Sequence, residues 1–325
     1  MNELKDINVL VTGAGGFIGS HLTRRLVNEG ATVSIFSKGN NKNLEDIIDK
    51  LSVYKVDITK FEDVKKAIQD IKPKKVFNLA ATTNLERSLE ALNKAIEINL
   101  NGSLNLIRAL NDNGYDCLIN AGTIEEYGIN KAPFHEDITI PEPVSPYSAS
   151  KASLSMFSKM FYNMFNTPII TLRLSKVYGP YETVDLNLNK SLIPKLIICG
   201  LLKKEFKLSG GNQYRDFIYI DDVVDGFIEA SVNKKAIGNI INLSAGKGYI
   251  IKEIVDKIVN IIGEIKVNNS EPYRKGENMV FYSNNDKAKN LLNWEPKIDL
   301  DLGLRKTIEW YKKMDNYELL KKWII

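Results

Sequence analysis

Tyr147 and Lys151 have the residue types and the spacing that proton transfer requires. They lie four positions apart at the start of a predicted helix, so both side chains project from one helical face. A phenol with a pKa of about 10 can exchange a proton with a carbonyl oxygen once a neighbouring positive charge lowers that pKa by ~2 to 3 units. Thr123, at the end of a predicted strand, is placed to hold the same oxygen; alternatively, it only caps the turn there.

Spacing alone does not identify this pair, because 14 tyrosines and 36 lysines in 325 residues produce chance matches. Tyr127 precedes Lys131, and Tyr317 precedes Lys321, by the same interval. Only Tyr147 follows a strand and a proline-bounded loop and opens a helix at the carboxyl side of the predicted sheet. The predicted chemistry is hydride transfer to or from a carbonyl carbon.

A glycine-rich turn near the N-terminus predicts where a hydride carrier binds. Residues 12–21 follow the apolar run 7–11 and carry glycines at 13, 15, 16 and 19. Gly13 permits a tight turn, a glycine at 15 or 16 admits a pyrophosphate, and Gly19 lets a helix starting near Gly16 approach the strand. The amides of its first turn then face the anion. We predict a dinucleotide-binding unit; the alternative is an ordinary βα turn.

Strands and helices alternate along the first 180 residues. Strands are predicted at 7–11, 31–36, 51–56, 75–80, 116–120 and 169–174, and the longest helical patterns at 90–113 and 147–166. Such βαβ repetition predicts an α/β fold with a doubly wound parallel sheet of Rossmann type. We expect an NAD(P)-binding domain over 1–180 and a smaller α/β substrate-binding lobe over 181–325, with elements able to cross between the two.

The ends of the second and third strands bear on which dinucleotide binds. Ser37 and Lys38 stand where an acid usually selects NAD, and a hydroxyl with an ammonium attracts a 2′-phosphate, so NADP is favoured. The alternative is a polar loop, with NAD held by backbone contacts. Asp57 is suited to contact the adenine amino group, unless it is loop chemistry beside a Thr59–Glu62 capping box.

Composition argues against several classes of protein. The chain is 44% hydrophobic and 26% charged, as is ordinary for a globular enzyme, and its net charge of +4 comes from dispersed lysines that form no nucleic-acid surface. Two cysteines and two histidines supply no metal spacing or disulfide framework, and no apolar run approaches the ~18 residues of a membrane span. We expect a cytoplasmic protein without metal, nucleic-acid or membrane partners.

The ordered motifs resemble extended short-chain dehydrogenase/reductases that act on nucleotide sugars, the NAD-dependent epimerase/dehydratase family. Besides the glycine turn and the Tyr147 and Lys151 pair, segments 123–128, 173–180 and 215–222 are similar to the family's motifs, and the similarity covers nearly the whole chain. The resemblance implies a nucleotide-diphosphate-sugar substrate. With Ser37 and Lys38, the residues expected at the cofactor are Gly13, Gly16, Phe17, Ile18, Gly19, Asp57, Ile58, Leu79, Ala80, Ala81, Asn99, Tyr147 and Lys151.

The resemblance also implies the substrate contacts. Lys176, Arg215 and Arg274 are expected there, with the arginines at the phosphates because guanidinium groups bind pyrophosphate bidentately. Lys176 departs from the family's usual asparagine. The alternative for the arginines is that Arg215 pairs only with Asp221 or Asp222, and that Arg274 is a solvated charge.

Several reactions are compatible with this resemblance. An NADP site favours a reductase that consumes NADPH to reduce a 4-keto-6-deoxy sugar nucleotide. A 4,6-dehydratase stays open because Thr123 and Glu125 resemble the pair in which the glutamate takes the C5 proton, although Glu126 beside it suggests a polar turn. An epimerase also stays open. A redox sensor or scaffold that only binds NADP would need neither Tyr147 nor Lys151.

An apolar stripe on the helix after Tyr147 predicts a homodimer. The stripe is too wide for one sheet face, so part of it should pack against another helix. The family often pairs this helix and the preceding long one across a four-helix interface. The stripe consists of Leu154, Met156, Phe157, Met160, Phe161, Met164 and Phe165.

Overall fold

The computed structural model describes residues 3–39, 41–83, 86, 88–111, 113–183, 191–263, 265–273, 277–313 and 320. Its strands are β1 (Asn8–Thr12), β2 (Thr32–Ser37), β3 (Ser52–Lys55), β4 (Lys75–Asn78), β5 (Cys117–Thr123), β6 (Ile169–Leu174), β7 (Lys176–Tyr178), β8 (Phe206–Ser209), β9 (Tyr214–Arg215), β10 (Phe217–Tyr219), β11 (Ile240–Leu243), β12 (Tyr249–Ile250), β13 (Val267–Glu271) and β14 (Val280–Phe281).

The helices cover both faces of the main sheet. They are α1 (Phe17–Asn28), α2 (Phe61–Ile71), α3 (Leu89–Ala95), α4 (Ser103–Leu110), α5 (Pro146–Phe165), α6 (Leu192–Leu201), α7 (Ile220–Val232), α8 (Ile251–Ile262), α9 (Asp286–Leu292) and α10 (Leu300–Lys312). A π-helical segment, Ile96–Gly102, joins α3 to α4, and a 3₁₀ turn, Ile124–Tyr127, follows β5. None of the helices in the described ranges is long and apolar enough to cross a membrane.

Seven strands form one sheet in the order β11-β6-β5-β4-β1-β2-β3, and every pairing in it is parallel. All residues of β4, β5 and β6 are buried, as expected for parallel strands covered by helices on both faces. The predicted doubly wound Rossmann sheet is therefore confirmed. Strand β5 continues to Thr123, three residues beyond its predicted end, and β11 adds an edge strand from beyond residue 180.

Alternate residues of the strands supply two hydrophobic cores. In β1, Val9 and Val11 belong to the core that includes residues of α1, α6, α7 and α8, whereas Leu10 belongs to the core that includes residues of α2, α4 and α5. A fully buried aliphatic side chain contributes about 1.5–3 kcal/mol to the stability of the folded state, so these two cores hold the sheet rigidly. The strand ends at its carboxyl edge are thereby fixed relative to one another.

Apart from β11, the strands from β7 onward are short and lie in three small sheets. β10 pairs with β7, β9 lies between β12 and β14, and β13 pairs with β8. The buried carboxylate of Asp216 ties several of these segments together, because it accepts hydrogen bonds from the amides of Ala245 (2.9 Å) and Ser283 (3.3 Å). This region lies beside β7, and therefore beside the carboxyl end of β6.

Candidate active site

The turn between β1 and α1 has the geometry of a phosphate-binding loop. Gly13 has a φ of +68°, and a Cβ there would lie 2.6 Å from the carbonyl carbon of Leu79; a Cβ at Gly19 would lie 2.1 Å from the carbonyl oxygen of Gly13. Both positions therefore require glycine. α1 begins at Phe17, just after its cap residue Gly16, and no side chain caps its first turn. The amides of that turn fit a dinucleotide pyrophosphate, with Ile18 in the same turn.

The residues expected to select the dinucleotide meet at the ends of β2 and β3. Lys38 Nζ lies 2.7 Å from a carboxylate oxygen of Asp57, and Ser37 Oγ donates to the side-chain oxygen of Asn41 at 2.8 Å. Burial acts to raise the pKa of Asp57, but hydrogen bonds from Lys38 and Thr59 outweigh it and lower the pKa. The ammonium of Lys38 therefore already has an ion-pair partner within the protein.

The predicted capping box of α2 does not form. Its cap residue is Lys60, without a side-chain cap, and Thr59 instead donates its amide and hydroxyl to Asp57 at 3.0 and 2.9 Å. The turn after β3 therefore organises the Asp57 carboxylate rather than the helix. The neighbouring Ile58 is buried and packs against Gly102.

The loop after β4 is held against α5 by Asn99. The Asn99 side chain accepts from the amide of Thr82 (2.8 Å) and donates to the carbonyl of Thr82 (3.1 Å) and to Ser150 Oγ (2.9 Å). Leu79 and Ala80 lie against the glycine turn, and the half-buried Ala81 follows. The structure gives Asn99 protein partners on two elements, so the asparagine aligns the predicted cofactor loop with α5.

Thr123, Tyr147 and Lys151 meet at the junction of β5 and α5. Thr123 Oγ1 accepts from the amide of Glu125 (3.2 Å), and the Thr123 side chain lies close enough to Tyr147 to lower the pKa of its phenol. The turn-capping role of Thr123 is therefore confirmed, and its role toward a substrate oxygen stays a prediction. Lys151, buried, donates to the carbonyl of Ala121 at 2.7 Å. α5 starts cleanly at Pro146 because Ser145 forms a capping box at its N-terminus.

Burial and two carboxylates determine the charge states of these groups. Burial, with the negative charges of Glu125 and Glu126, raises the pKa of Tyr147 well above its usual range, and the nearby Thr123 side chain acts in the opposite sense. Burial lowers the pKa of Lys151 to about 8, against the raising influence of Glu126. Within the protein alone, the tyrosine is held as a neutral phenol.

Glu126 is fully buried, which corrects the expectation of a polar turn. One of its carboxylate oxygens accepts from the amide of Thr123 at 3.0 Å; the other accepts from Ser155 Oγ and from Arg173 Nε, both at 2.7 Å. The Arg173 guanidinium also lies over the Tyr127 ring, 4.6 Å from its centroid. Sequence reasoning missed this pair. Its signal was an arginine inside an otherwise uncharged strand, since a buried charge needs a partner.

Glu125 takes the more open position next to Glu126. Its carboxylate lies 3.2 Å from Lys176 Nζ, and both side chains are partly exposed. Lys176 begins β7, directly after the end of β6. The predicted substrate residue Lys176 and the predicted proton acceptor Glu125 thus form one ion pair beside Tyr147.

Arg215 pairs with neither acid predicted as its alternative partner. It forms a salt bridge with Glu277, and both side chains are mostly buried, at 11% and 15% exposure. Asp222 instead accepts from the amides of Lys297 and Ile298. Arg274 lies outside the described residues.

Comparisons with known proteins agree with this geometry. A model of the NAD dependent epimerase/dehydratase family matches residues 9–244. UDP-glucuronate 4-epimerase of Thermodesulfobacterium geofontis (strain OPF15) is 33% identical over 330 residues, covering 96% of this chain and 98% of that protein. The dTDP-D-glucose 4,6-dehydratase of Homo sapiens is 29% identical over 328 residues, covering 94% and 90%.

A solved structure extends the similarity to three dimensions. UDP-glucuronic acid 4-epimerase from Bacillus cereus, in complex with UDP-glucuronic acid and NAD, matches with a TM-score of 0.85 at 29% identity, covering 94% of this chain and 99% of that one. The match therefore extends over nearly the whole chain. This chain belongs to the NAD-dependent epimerase/dehydratase family.

Proposed function

We propose that this protein reduces the keto group of a 4-keto-6-deoxy nucleotide-diphosphate sugar. The observation that carries the proposal is the end of β2, where Ser37 and Lys38 replace the acid that selects NAD and favour the 2′-phosphate of NADPH, which a reductase consumes. Burial and the charges of Glu125 and Glu126 raise the pKa of Tyr147, and a reductase needs the neutral phenol as proton donor.

Each residue of the site has a part in such a reduction. When bound, NADPH would supply the hydride that adds to the keto carbon. Tyr147 donates its proton to the keto oxygen, which Thr123 orients through its hydroxyl. The ammonium of Lys151 then stabilises the phenolate that remains on Tyr147. Lys151 also contacts the cofactor ribose in this proposal, as its counterpart does in the family.

Dehydration is less well supported than reduction. Elimination of a C6 hydroxyl needs a base for the C5 proton and an acid for the leaving oxygen. Of the two adjacent glutamates only Glu125 is accessible. Both carboxylate oxygens of Glu126 already accept hydrogen bonds, from Thr123, Ser155 and Arg173. The residue before these glutamates, Ile124, is buried and has no acidic proton to give to the leaving oxygen.

The choice between NADP and NAD follows from the ends of β2 and β3. Ser37 and Lys38 favour a 2′-phosphate, but the Asp57 carboxylate shares the same ammonium at 2.7 Å. We therefore propose NADP with only a modest preference over NAD. The relative from Bacillus cereus contains NAD, which supports NAD as the other candidate.

A 4-epimerase that retains its cofactor is the second candidate. It is favoured by the similarity to UDP-glucuronate 4-epimerase along nearly the whole chain. Such an enzyme would interconvert its substrates as purified, without added NADPH. A reductase would instead consume one NADPH for each sugar reduced.

The test incubates purified protein with NADPH or NADH and a panel of 4-keto-6-deoxy sugar nucleotides, following absorbance at 340 nm. We expect stoichiometric oxidation of NADPH with one member of the panel. UDP-glucuronic acid and UDP-glucose are offered in parallel without cofactor, with products separated by chromatography. Epimerisation there, without NADPH consumption in the first assay, would overturn the reductase proposal.

The substrate nucleotide is proposed to bind where residues 181–325 meet the sheet. Lys176 faces the sugar beside Glu125, and Arg215 with Arg274 would contact the phosphates. The location of Arg215 on β9, next to β14 and mostly buried, supports an enclosed anion site. A pyrophosphate there would compete with Glu277 for the guanidinium.

We also propose that the protein is a homodimer through α5. Phe157 and Met164, seven residues apart, lie on one helical face with 39% and 66% exposure, and Ile96 on the adjoining π-helical segment is exposed as well. Light scattering on a gel-filtration peak should give twice 36.7 kDa at micromolar concentration. Phe157→Glu with Met164→Glu should halve that mass. A single 36.7 kDa species for the unaltered protein would refute the dimer.

A further inference from the structure

Glu126 connects the three elements that carry the reacting groups. Its carboxylate holds the amide of Thr123 at the end of β5, Ser155 on α5 and Arg173 on β6, each at 3.0 Å or less. Ser155 lies one helical turn after Lys151, so the same carboxylate fixes the part of α5 from which Lys151 projects. No atom of Glu126 is exposed, and it has no route to a substrate.

The surrounding backbone is shaped around this carboxylate. A Cβ at Gly122 would lie 2.7 Å from a carboxylate oxygen of Glu126, so the strand leaves space at the point where the side chain enters. Arg173, 2% exposed, completes the pair from β6 and stacks on Tyr127, whose hydroxyl donates to the Asn242 side chain at 2.9 Å. The carboxylate is therefore held in one position by groups on separate elements.

The geometry points to Glu126 as a positioning residue that aligns Thr123 with α5 and supplies a fixed negative charge beside Lys151 and Tyr147. The remaining groups that face this charge are Arg173, its ion-pair partner, and Thr123 and Ser155, which are neutral. Glu125 also faces Tyr147, but it is paired with Lys176. The kinetic consequence of this inference rests on the proposed function, whereas the charge consequence does not.

Two substitutions separate alignment from charge. Glu126→Gln keeps an acceptor for the Thr123 amide but removes the charge, so the pKa of Lys151 should fall below its value of about 8. Glu126→Asp keeps the charge but withdraws the carboxylate by one methylene. It should leave the pKa of Lys151 near 8 while turnover falls roughly 10- to 100-fold through misalignment of Thr123.

The charge arm is measured without substrate. In protein labelled with ¹³C at lysine Cε, Lys151 is the resonance that titrates near pH 8 and disappears in Lys151→Arg. Glu125→Gln serves as the matched control, because Glu125 acts on Tyr147 and not on Lys151. We expect its Lys151 midpoint to match the unaltered protein, and the Glu126→Gln midpoint to be lower.

The outcomes distinguish this inference from the proposed function. An unchanged Lys151 midpoint in Glu126→Gln would overturn the charge role. Turnover in Glu126→Asp equal to that of the unaltered protein would overturn the alignment role. If Glu126→Gln does not fold, the same titration is made on Glu126→Leu with Arg173→Met. Loss of the Arg173 cation by itself acts to raise the pKa of Lys151, so a lower midpoint supports the charge role of Glu126 and an unchanged or higher midpoint would overturn it. If no 4-keto sugar is reduced at all, the proposed function fails while the titration remains decisive for Glu126.

Discussion

Two arginine–glutamate pairs in this protein share one chemistry and differ in setting. Arg173 lies on the buried strand β6 and Glu126 on the 3₁₀ turn after β5, and both side chains have at most 2% exposure. Arg215 and Glu277 lie on and near a two-residue strand of the second lobe, with 11% and 15% exposure. The first pair is enclosed by the main sheet and its helices, and its role is structural. The second pair is more exposed, and in the proposed function a phosphate of the substrate replaces Glu277 there.

In the proposed function, catalysis and substrate binding are divided between these two regions. The carboxyl edge of the main sheet carries Thr123, Tyr147 and Lys151, whose alignment depends on two hydrophobic cores and the buried carboxylate. The small sheets carry charges on short strands, whose arrangement depends on a few hydrogen bonds around Asp216. Variants in the first region should change turnover or folding, and variants in the second should change substrate affinity.

The largest expected effect is on chemistry at the sheet edge. Tyr147→Phe removes the proton donor but little packing, so turnover should fall roughly 10²- to 10⁴-fold while NADPH affinity is kept. Steady-state kinetics and a cofactor titration check this. Tyr127→Phe is the matched control, since Tyr127 has a lysine at the same spacing but donates to Asn242 in the interior. Turnover of Tyr147→Phe within threefold of the unaltered protein would exclude its catalytic role.

The next effect concerns folding, and it contrasts the two arginines directly. Arg173→Met leaves the Glu126 carboxylate buried without its cation, so the free energy of unfolding should fall by about 3–5 kcal/mol. Arg215→Met leaves Glu277 partly solvated, and the loss should be about 1–3 kcal/mol. Urea unfolding followed by circular dichroism measures both. Equal losses would show that the two pairs do not differ as their burial indicates.

For substrate binding the order of the two arginines should be reversed, with Arg215 mattering more than Arg173. Arg215→Ala should weaken binding of a nucleoside diphosphate by roughly 1.5–3 kcal/mol for the lost charge-assisted hydrogen bond, with NADPH affinity unchanged. Arg274→Ala is expected to behave in the same way. Arg305→Ala, on the exposed side of α10, is the arginine control. Calorimetry decides the matter, because full affinity in both variants would put the phosphates elsewhere.

The smallest effect concerns the choice of cofactor. Ser37→Asp introduces a carboxylate beside the expected 2′-phosphate position, and NADPH affinity should fall about tenfold, or ~1.4 kcal/mol, while NADH affinity is maintained. Fluorescence titration with both dinucleotides measures this. Because Asp57 already neutralises Lys38, Lys38→Ala should change the preference less than Ser37→Asp. A wild-type preference for NADH would remove the main support for the reductase.

Local sequence determined the fold class and most of the candidate catalytic residues. The glycine turn, the alternation of apolar strands with helices, and the four-residue interval between Tyr147 and Lys151 depend on neighbours within one or two turns of chain. Backbone sterics and side-chain periodicity act over that range, so they could be predicted. The helix of Tyr147 begins within one residue of its predicted start.

The tertiary structure alone decided which charges meet. Glu126 and Arg173 are 47 residues apart, and Arg215 and Glu277 are 62 apart, while Lys38 reaches Asp57 from a different strand. Such pairs depend on which strands become neighbours in the sheet and how far each element extends. Glu125 and Glu126 are identical side chains in adjacent positions, yet one is open to the site and the other is enclosed. That difference comes from the direction of the 3₁₀ turn against β6 and α5, which no local pattern of residues specifies.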